Sequence, residues 1–362
     1  MPLDIHVDLP TVAQMAEKAM LTEGHVSIRC RMAIAGTVAS IAIGASGAGA
    51  ADFYAGKTVR IVDAGGPASA YSLYAQLAAQ HLGRFIPGNP SIVVSFMPGA
   101  SGLNALNHLY QVAPRDGTVI TVPTQDIASQ QVLGIKGVRY DAVKFNYIGR
   151  AAANVPVHMV WHTTPVRLFD DLKRHEIITG AAGSTGTHVD LPRAQNALLG
   201  TKWKVVAGFR EESRIAMVRG ETQAGVIAAT LLSGHFKSWL DEGSVRVIVQ
   251  YSDFRHPTFR DVPTIMELAG TEEAKGVFKF LVSMSSVGRA YVAPPDVPAE
   301  RVAILRNAFE AMVNDPAFKA DAEKRGADLL PMPGDELATY VAGILRTPPD
   351  IIRKTNEAIA AR

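Results

Sequence analysis

Backbone amides and small hydroxyls, set in glycine-bearing loops, are the chemistry this chain repeats along its length. The stretch AGGPASAYS, Ala64 to Ser72, follows a β-branched run from Thr58 to Asp63. It precedes apolar residues at helical spacing, namely Leu73, Leu77, Ala78, Leu82 and Phe85. One unit later the pattern recurs: Ile92 to Phe96, then Pro98, Gly99, Ala100, Ser101 and Gly102, then the stripe Leu103, Leu106, Leu109. A loop between a strand and a helix presents unpaired N–H groups and the positive end of the helix. Such a site receives an anion without a cationic side chain. The candidate residues are Gly65, Gly66, Ala68, Ser69, Ala70, Tyr71 and Ser72 in the first loop and Gly99, Ala100 and Ser101 in the second. A lone Gly-Gly pair also reads as a plain turn; the second loop favours the binding reading.

A third loop, AAGSTGTHVD, follows the strand-like Ile177 to Gly180. Ser184, Thr185 and Thr187 supply hydroxyls, Gly183 and Gly186 allow close backbone approach, and His188 stands at the expected helix start. Further candidates stand at other strand ends, where open α/β sheets place ligands: Gln125 and Asp126 in PTQD, Phe209 and Arg210 in GFRE, Ala229 in IAAT. Catalytic constellations fail on inspection. Gly65, Gly66 and Pro67 do not form G-x-G-x-x-G, and Pro67 has no N–H for a pyrophosphate. There is no G-x-S-x-G elbow and no Walker loop. His158 and His162 lie four apart on a strand, where one face repeats every two residues, so they do not make a metal pair. No catalytic residue, metal site or cofactor is expected.

These loops need a scaffold, and strand-like runs alternating with helical stripes provide one. The runs are Val119 to Val122, Phe145 to Ile148, His158 to Trp161, Ile177 to Gly180, Lys204 to Ala207, Gln223 to Ile227 and Val245 to Gln250. This alternation predicts an α/β protein with mostly parallel sheets. Breaks fall near Asn146 to Ala153 and near Ser285 to Val292. Packing helices are expected over Ala299 to Asn314 and Glu336 to Arg346, with Pro348 and Pro349 breaking the last. With 362 residues, 48% hydrophobic and 19% charged, the chain suits two globular domains. A formal charge of +2 and the lack of a Lys/Arg-rich run argue against nucleic acid as a partner.

Residues 29 to 51 combine two arginines, an apolar run from Met32 to Ile43 and small residues at Ala48 to Ala50, the grammar of a secretory leader cut after Ala50. Twelve apolar residues fall short of the roughly 20 that span a bilayer. Met20 is a more natural start than Met1. The single cysteine, Cys30, precedes the apolar run, so the exported chain would contain none and suits an oxidising compartment.

In the order and spacing of several segments the chain resembles the periplasmic substrate-binding proteins of tripartite tricarboxylate transporters, the Bug proteins. The segments include GKTVRIV with its glycine loop, LYAQLAAQHLGRFIPGNPSIVV, MPGASG, VAPRDGTVI, VWHTTPVRLFDDL, GAAGSTGTHVD, RHPTFRDVPTIMELA and YVAPPDVPAERVAILRNAF, and the likeness spans 53 to about 350. It implies a two-lobed periplasmic-binding-protein fold, type II-like, with a hinge of two crossover strands. Domain one would comprise 51–149 plus 287–362, and domain two 150–286. It further implies a monomeric periplasmic receptor, not an enzyme, that traps a small organic acid and passes it to small and large membrane subunits. The family's loops grip a ligand carboxylate, a role that falls on Gly65 to Ser72 and Gly183 to His188. The family's first loop ends in an acid where this chain has Ser72, so the cleft is expected to carry less negative charge. Two other readings stay open, a sensory module without transport and a doubly wound enzyme holding a phosphorylated cofactor.

Overall fold

Runs rich in Val, Ile and Thr become strands because branched Cβ atoms pack well on a pleated surface. In the computed structural model, which describes residues 52–67, 69–181, 186–209 and 213–360, they are β1 (Thr58–Asp63), β2 (Ser91–Phe96), β3 (Val119–Val122), β4 (Asn146–Arg150), β5 (Pro156–Trp161), β6 (Ile177–Ala181), β7 (Trp203–Ala207), β8 (Ala224–Ala228), β9 (Val245–Gln250), β10 (Ala290–Ala293) and β11 (Met332–Pro333). The longer helices are α1 (Ala70–His81), α2 (Leu103–Gln111), α3 (Thr187–Leu199), α4 (Glu272–Val287), α5 (Ala299–Asn314), α6 (Pro316–Lys324), α7 (Gly334–Leu345) and α8 (Pro349–Ala360). The expected leader, Ala68, Gly183, Ser184, Thr185 and Arg210 lie outside the described residues.

The strands make two mixed sheets. The first has the order β11-β4-β10-β3-β1-β2, with β1 parallel to β2 and β3 and β10 antiparallel to β3 and β4. The second runs β7-β6-β8-β5-β9, with β6 parallel to β7 and β8 and β5 antiparallel to β8 and β9. Every residue of β3 is buried, as a strand covered by helices on both faces requires. Ile61, Leu77, Leu82, Phe309 and Met312 belong to one core of the first sheet, and Leu106, Tyr147, Leu337 and Val341 to another. Val160, Trp203, Phe278 and Val282 form the main core of the second.

The chain passes between the two sheets three times, not two: from β4 to β5, from α4 to β10, and from α7 to α8. The first two passages are zipped together. Arg289 N–H donates to Ala152 O at 2.7 Å and Ala151 N–H to Arg289 O at 3.0 Å. Gly288, at φ 55°, allows this approach, since a Cβ there would fall 2.1 Å from Ala152 O. The third passage brings the last helix, within 287–362, against the second sheet's elements. The expected break at Pro348 and Pro349 ends α7 at Leu345, and Pro349 then starts a new helix, as a residue with fixed φ and no N–H does at a first helical position. The apolar side of α8 then packs on α3 and α4, with Ala358 inside the second sheet's core. Helix α4 serves both sides: Val277, Phe278 and Leu281 enter the second sheet's core, Phe280 and Val287 the first's.

Candidate functional site

The three parallel strands of the first sheet end together, and their loops meet. The first loop is built around a buried acid, Asp63, whose Oδ1 accepts the Gly65 N–H at 2.7 Å. Burial pushes the Asp63 carboxyl up while the Gly65, Ser69 and Gly66 donors draw it down. At least one amide expected to face a ligand is thus engaged by the protein itself. Glycine at 65 has a steric reason, because a Cβ would lie 2.5 Å from Ser69 Oγ and 2.8 Å from Tyr71 Cδ2. Ser69 caps α1, its Oγ accepting the Ser72 N–H at 3.1 Å. Ser72 is buried, and its hydroxyl accepts from Gln76 Nε2 at 3.0 Å. Ala70 is exposed and Tyr71 half-buried at the start of the helix.

The second loop touches the first, with Pro98 Cβ 3.6 Å from where a Gly66 Cβ would be. Gly99, Ala100, Ser101 and Gly102 all have positive φ, at 120°, 48°, 51° and 87°. For Ala100 and Ser101 this is a strained conformation, held by neighbours: Ser101 O accepts from Thr124 Oγ1 at 3.0 Å and Gln130 Nε2 at 2.8 Å.

The third loop carries the site across to the second sheet. Gln125 N–H donates to Tyr71 Oη at 3.1 Å, and Gln125 Oε1 accepts from Asn154 Nδ2 on the first passage at 3.2 Å. Gln125 and Asp126 then line a cavity of about 120 Å³ with Gly186, Thr187, Asp190 and Leu191 of the α3 start and Leu281 and Met284 of α4. The positive end of α3 therefore faces the Asp126 loop. Asp190 Oδ2 accepts the Gly186 N–H at 3.0 Å. Burial raises the Asp126 and Asp190 carboxyls, with the Gly186 bond and Arg193 pulling Asp190 back. His188 is half-buried and its imidazole is pushed down, first by burial and then by the Arg214 charge.

Arg289 is the residue that the sequence reading missed. Its guanidinium carbon lies 4.3 Å from the Tyr71 ring centroid, and it makes no ion pair with a described residue. A cation thus stands beside the Tyr71–Gln125–Asp126 run. The signal was present in SSVGRAYV, where Gly288 and Arg289 fall on a passage between sheets, but nothing in the spacing points that side chain at Tyr71. Arg150, also on a passage, is buried and donates from Nη1 to Ser286 O at 2.5 Å and from Nε to Leu330 O at 3.2 Å. Those carbonyls belong to two separate segments, Ser286 lying at the negative end of α4.

Other expected residues fall elsewhere. Ala229 is buried, and its N–H donates to Val155 O at 2.8 Å. Phe209 is half-buried, its N–H bonded to Ala181 O at 3.2 Å. His158 belongs to a buried chain. Trp203 Nε1 donates to Gln195 Oε1 at 2.8 Å, and Gln195 Nε2 to Tyr251 Oη at 2.5 Å. With Gln195 fixed that way, the Tyr251 hydroxyl donates to His158 Nδ1 at 2.7 Å, and His158 Nε2–H to Thr179 Oγ1 at 2.9 Å. Among the described residues no group of three or more His, Cys, Asp or Glu gathers as a metal site. None of their helices is long and apolar enough to cross a membrane.

No protein-family model and no curated protein matches the chain. Solved structures do. A TctC solute-binding protein from Polaromonas, without ligand, aligns at a TM-score of 0.65 and 14% identity, over 84% of this chain and 97% of that one. The periplasmic binding protein BugD aligns at 0.54 and 18% identity, over 83% and 97%. MatC from Rhodopseudomonas palustris with bound malate aligns at 0.53 and 19%, over 84% and 99%. Identities this low speak for architecture, and the chain has the two-sheet fold of the TctC and Bug-type solute-binding proteins.

Proposed function

We propose that the chain is an exported solute receptor that binds a small organic carboxylate between its two sheets and delivers it to the membrane subunits of a tripartite tricarboxylate-type transporter, without catalysing a reaction. The observation that carries this reading is the contiguous set Arg289, Tyr71, Gln125 and Asp126 set against the α3 start at Gly186 and Thr187. Arg289 and the helix start attract a carboxylate, while Asp126 and Asp190 accept from a donor on the same ligand. An acid that also carries a hydroxyl or amino group satisfies both. At about 120 Å³ the cavity is smaller than the ~300–1,000 Å³ of ordinary small-molecule sites, so the sheets part to admit ligand and close on it. Each side alone holds half of the contacts, and ligand therefore shifts the population toward the closed form.

The test is a thermal-shift screen of the purified protein against small organic acids, with nucleotides as the contrast. A saturating rise in melting temperature with an acid, diminished in Arg289→Ala, is expected. Stabilisation by a nucleotide and by no acid would sink the proposal.

A further inference from the structure

A cavity of about 480 Å³ lies between α4 and α7 and is bounded by the turn into α8, well within the ~300–1,000 Å³ range of small-molecule sites. Phe280, Ile344 and Ile351 give it apolar walls. Three hydroxyls on its lining are occupied: Ser283 donates to Phe280 O, Thr339 to Asp335 O and Thr347 to Ile344 O. Tyr340 is different. Its hydroxyl is buried beside Ser286 and Asp253, with no hydrogen bond of ordinary geometry among the described residues. Burial, then the Asp253 charge, pushes the phenol up, so it stays protonated next to that carboxylate. Lys275 and Lys354 on the flanking helices pair with Glu272 and Glu273, whereas Lys279 and Arg346 on the cavity make no ion pair with a described residue. The single acid on the lining, Asp253, accepts from Ser286 Oγ at 3.1 Å and lies in the field of Arg150.

Apolar walls and two cations without an ion pair among the described residues select an anion with an apolar body. We propose that this cavity is a second ligand site, separate from the cleft, for a small organic anion of that kind, an aryl- or alkylcarboxylate. Its walls come from α4, which enters both cores, from α7 beside the first sheet and from α8 on the second. A molecule seated there touches both sides of the hinge.

Fluorescence titration of the purified protein with anilinonaphthalene sulfonate tests this. A single saturable site is expected. Gly343→Phe fills the cavity from a position where a Cβ meets nothing within 4 Å, and should abolish the signal. Lys279→Gln combined with Arg346→Gln, both exposed, should weaken binding by about tenfold or more with melting temperature unchanged. Asp126→Asn and Arg289→Ala, in the cleft, should leave it intact. The proposal is overturned by an absent saturable signal, by one that survives Gly343→Phe, or by one that the cleft variants remove. If circular dichroism shows Gly343→Phe unfolded, the double charge variant decides, and unchanged affinity there overturns the proposal.

Discussion

The Arg289 guanidinium covers the Tyr71 ring at 4.3 Å, and the Tyr71 hydroxyl in turn accepts the Gln125 N–H at 3.1 Å, so a cation on a passage between sheets is tied through one aromatic ring to the loop that faces α3. The ring face attracts the guanidinium without neutralising it, and Arg289 makes no ion pair with a described residue.

Arg289→Ala should therefore weaken binding of a carboxylate ligand by about 10- to 100-fold, the value of a hydrogen bond to a charged group. Arg289→Lys should recover only part of this, since an ammonium lacks the planar fork. Isothermal titration calorimetry of both variants measures it, and an unchanged affinity in Arg289→Ala would place the ligand elsewhere.

Asp126 predicts the pH dependence of that binding. Burial raises its carboxyl above the ordinary 3.8, so it takes up a proton at a pH where an exposed aspartate would still be charged. Towards neutral pH an ionised Asp126 repels a ligand carboxylate. Affinity for a fully anionic ligand should be higher in Asp126→Asn than in the wild type near pH 7, and the two should converge as pH falls. A constant ratio across the titration would contradict this.

His158 sets an acid limit on stability. Burial, with His188 nearby, pushes its imidazole down to about 3 from 6.5, so the folded protein holds it neutral where the unfolded chain takes up a proton. The stabilisation is complete above about pH 6.5 and is lost as pH falls from there toward about 3. His158→Leu should lower the melting temperature at neutral pH and flatten its decline between pH 6 and 4. Separately, Tyr251→Phe should cost about 1–3 kcal/mol in urea denaturation, because it leaves Gln195 Nε2 and His158 Nδ1 without partners.

Arg150→Met should destabilise the protein by about 2–4 kcal/mol in chemical denaturation, since a buried carbonyl, Ser286 O, and a half-buried one, Leu330 O, lose their donor. Arg150→Lys should restore less than half of the loss, one ammonium being unable to replace a fork that bonds two segments.

Ser72→Asp should act on stability more than on ligand choice. The hydroxyl of Ser72 is buried and bonded to Gln76, so a carboxylate there is desolvated instead of facing the cleft. A lower melting temperature with little change in relative acid affinities is expected from a thermal-shift comparison.

The sequence by itself determined the strands and the order of the loops. Period-two and β-branched runs are local signals, and Thr58–Asp63, Val119–Val122 and Val245–Gln250 appear with the bounds that those signals imply. The helix Ala299–Asn314 likewise follows from its own apolar stripe. Tertiary structure alone decided which side chains meet. Nothing local shows that Ser72 is buried, that Arg289 finds Tyr71, or that α8 returns to the second sheet. Those outcomes depend on contacts across more than a hundred residues or on competition for burial among whole elements. A loop's sequence states what it can bond; only the packed neighbours decide what it does bond.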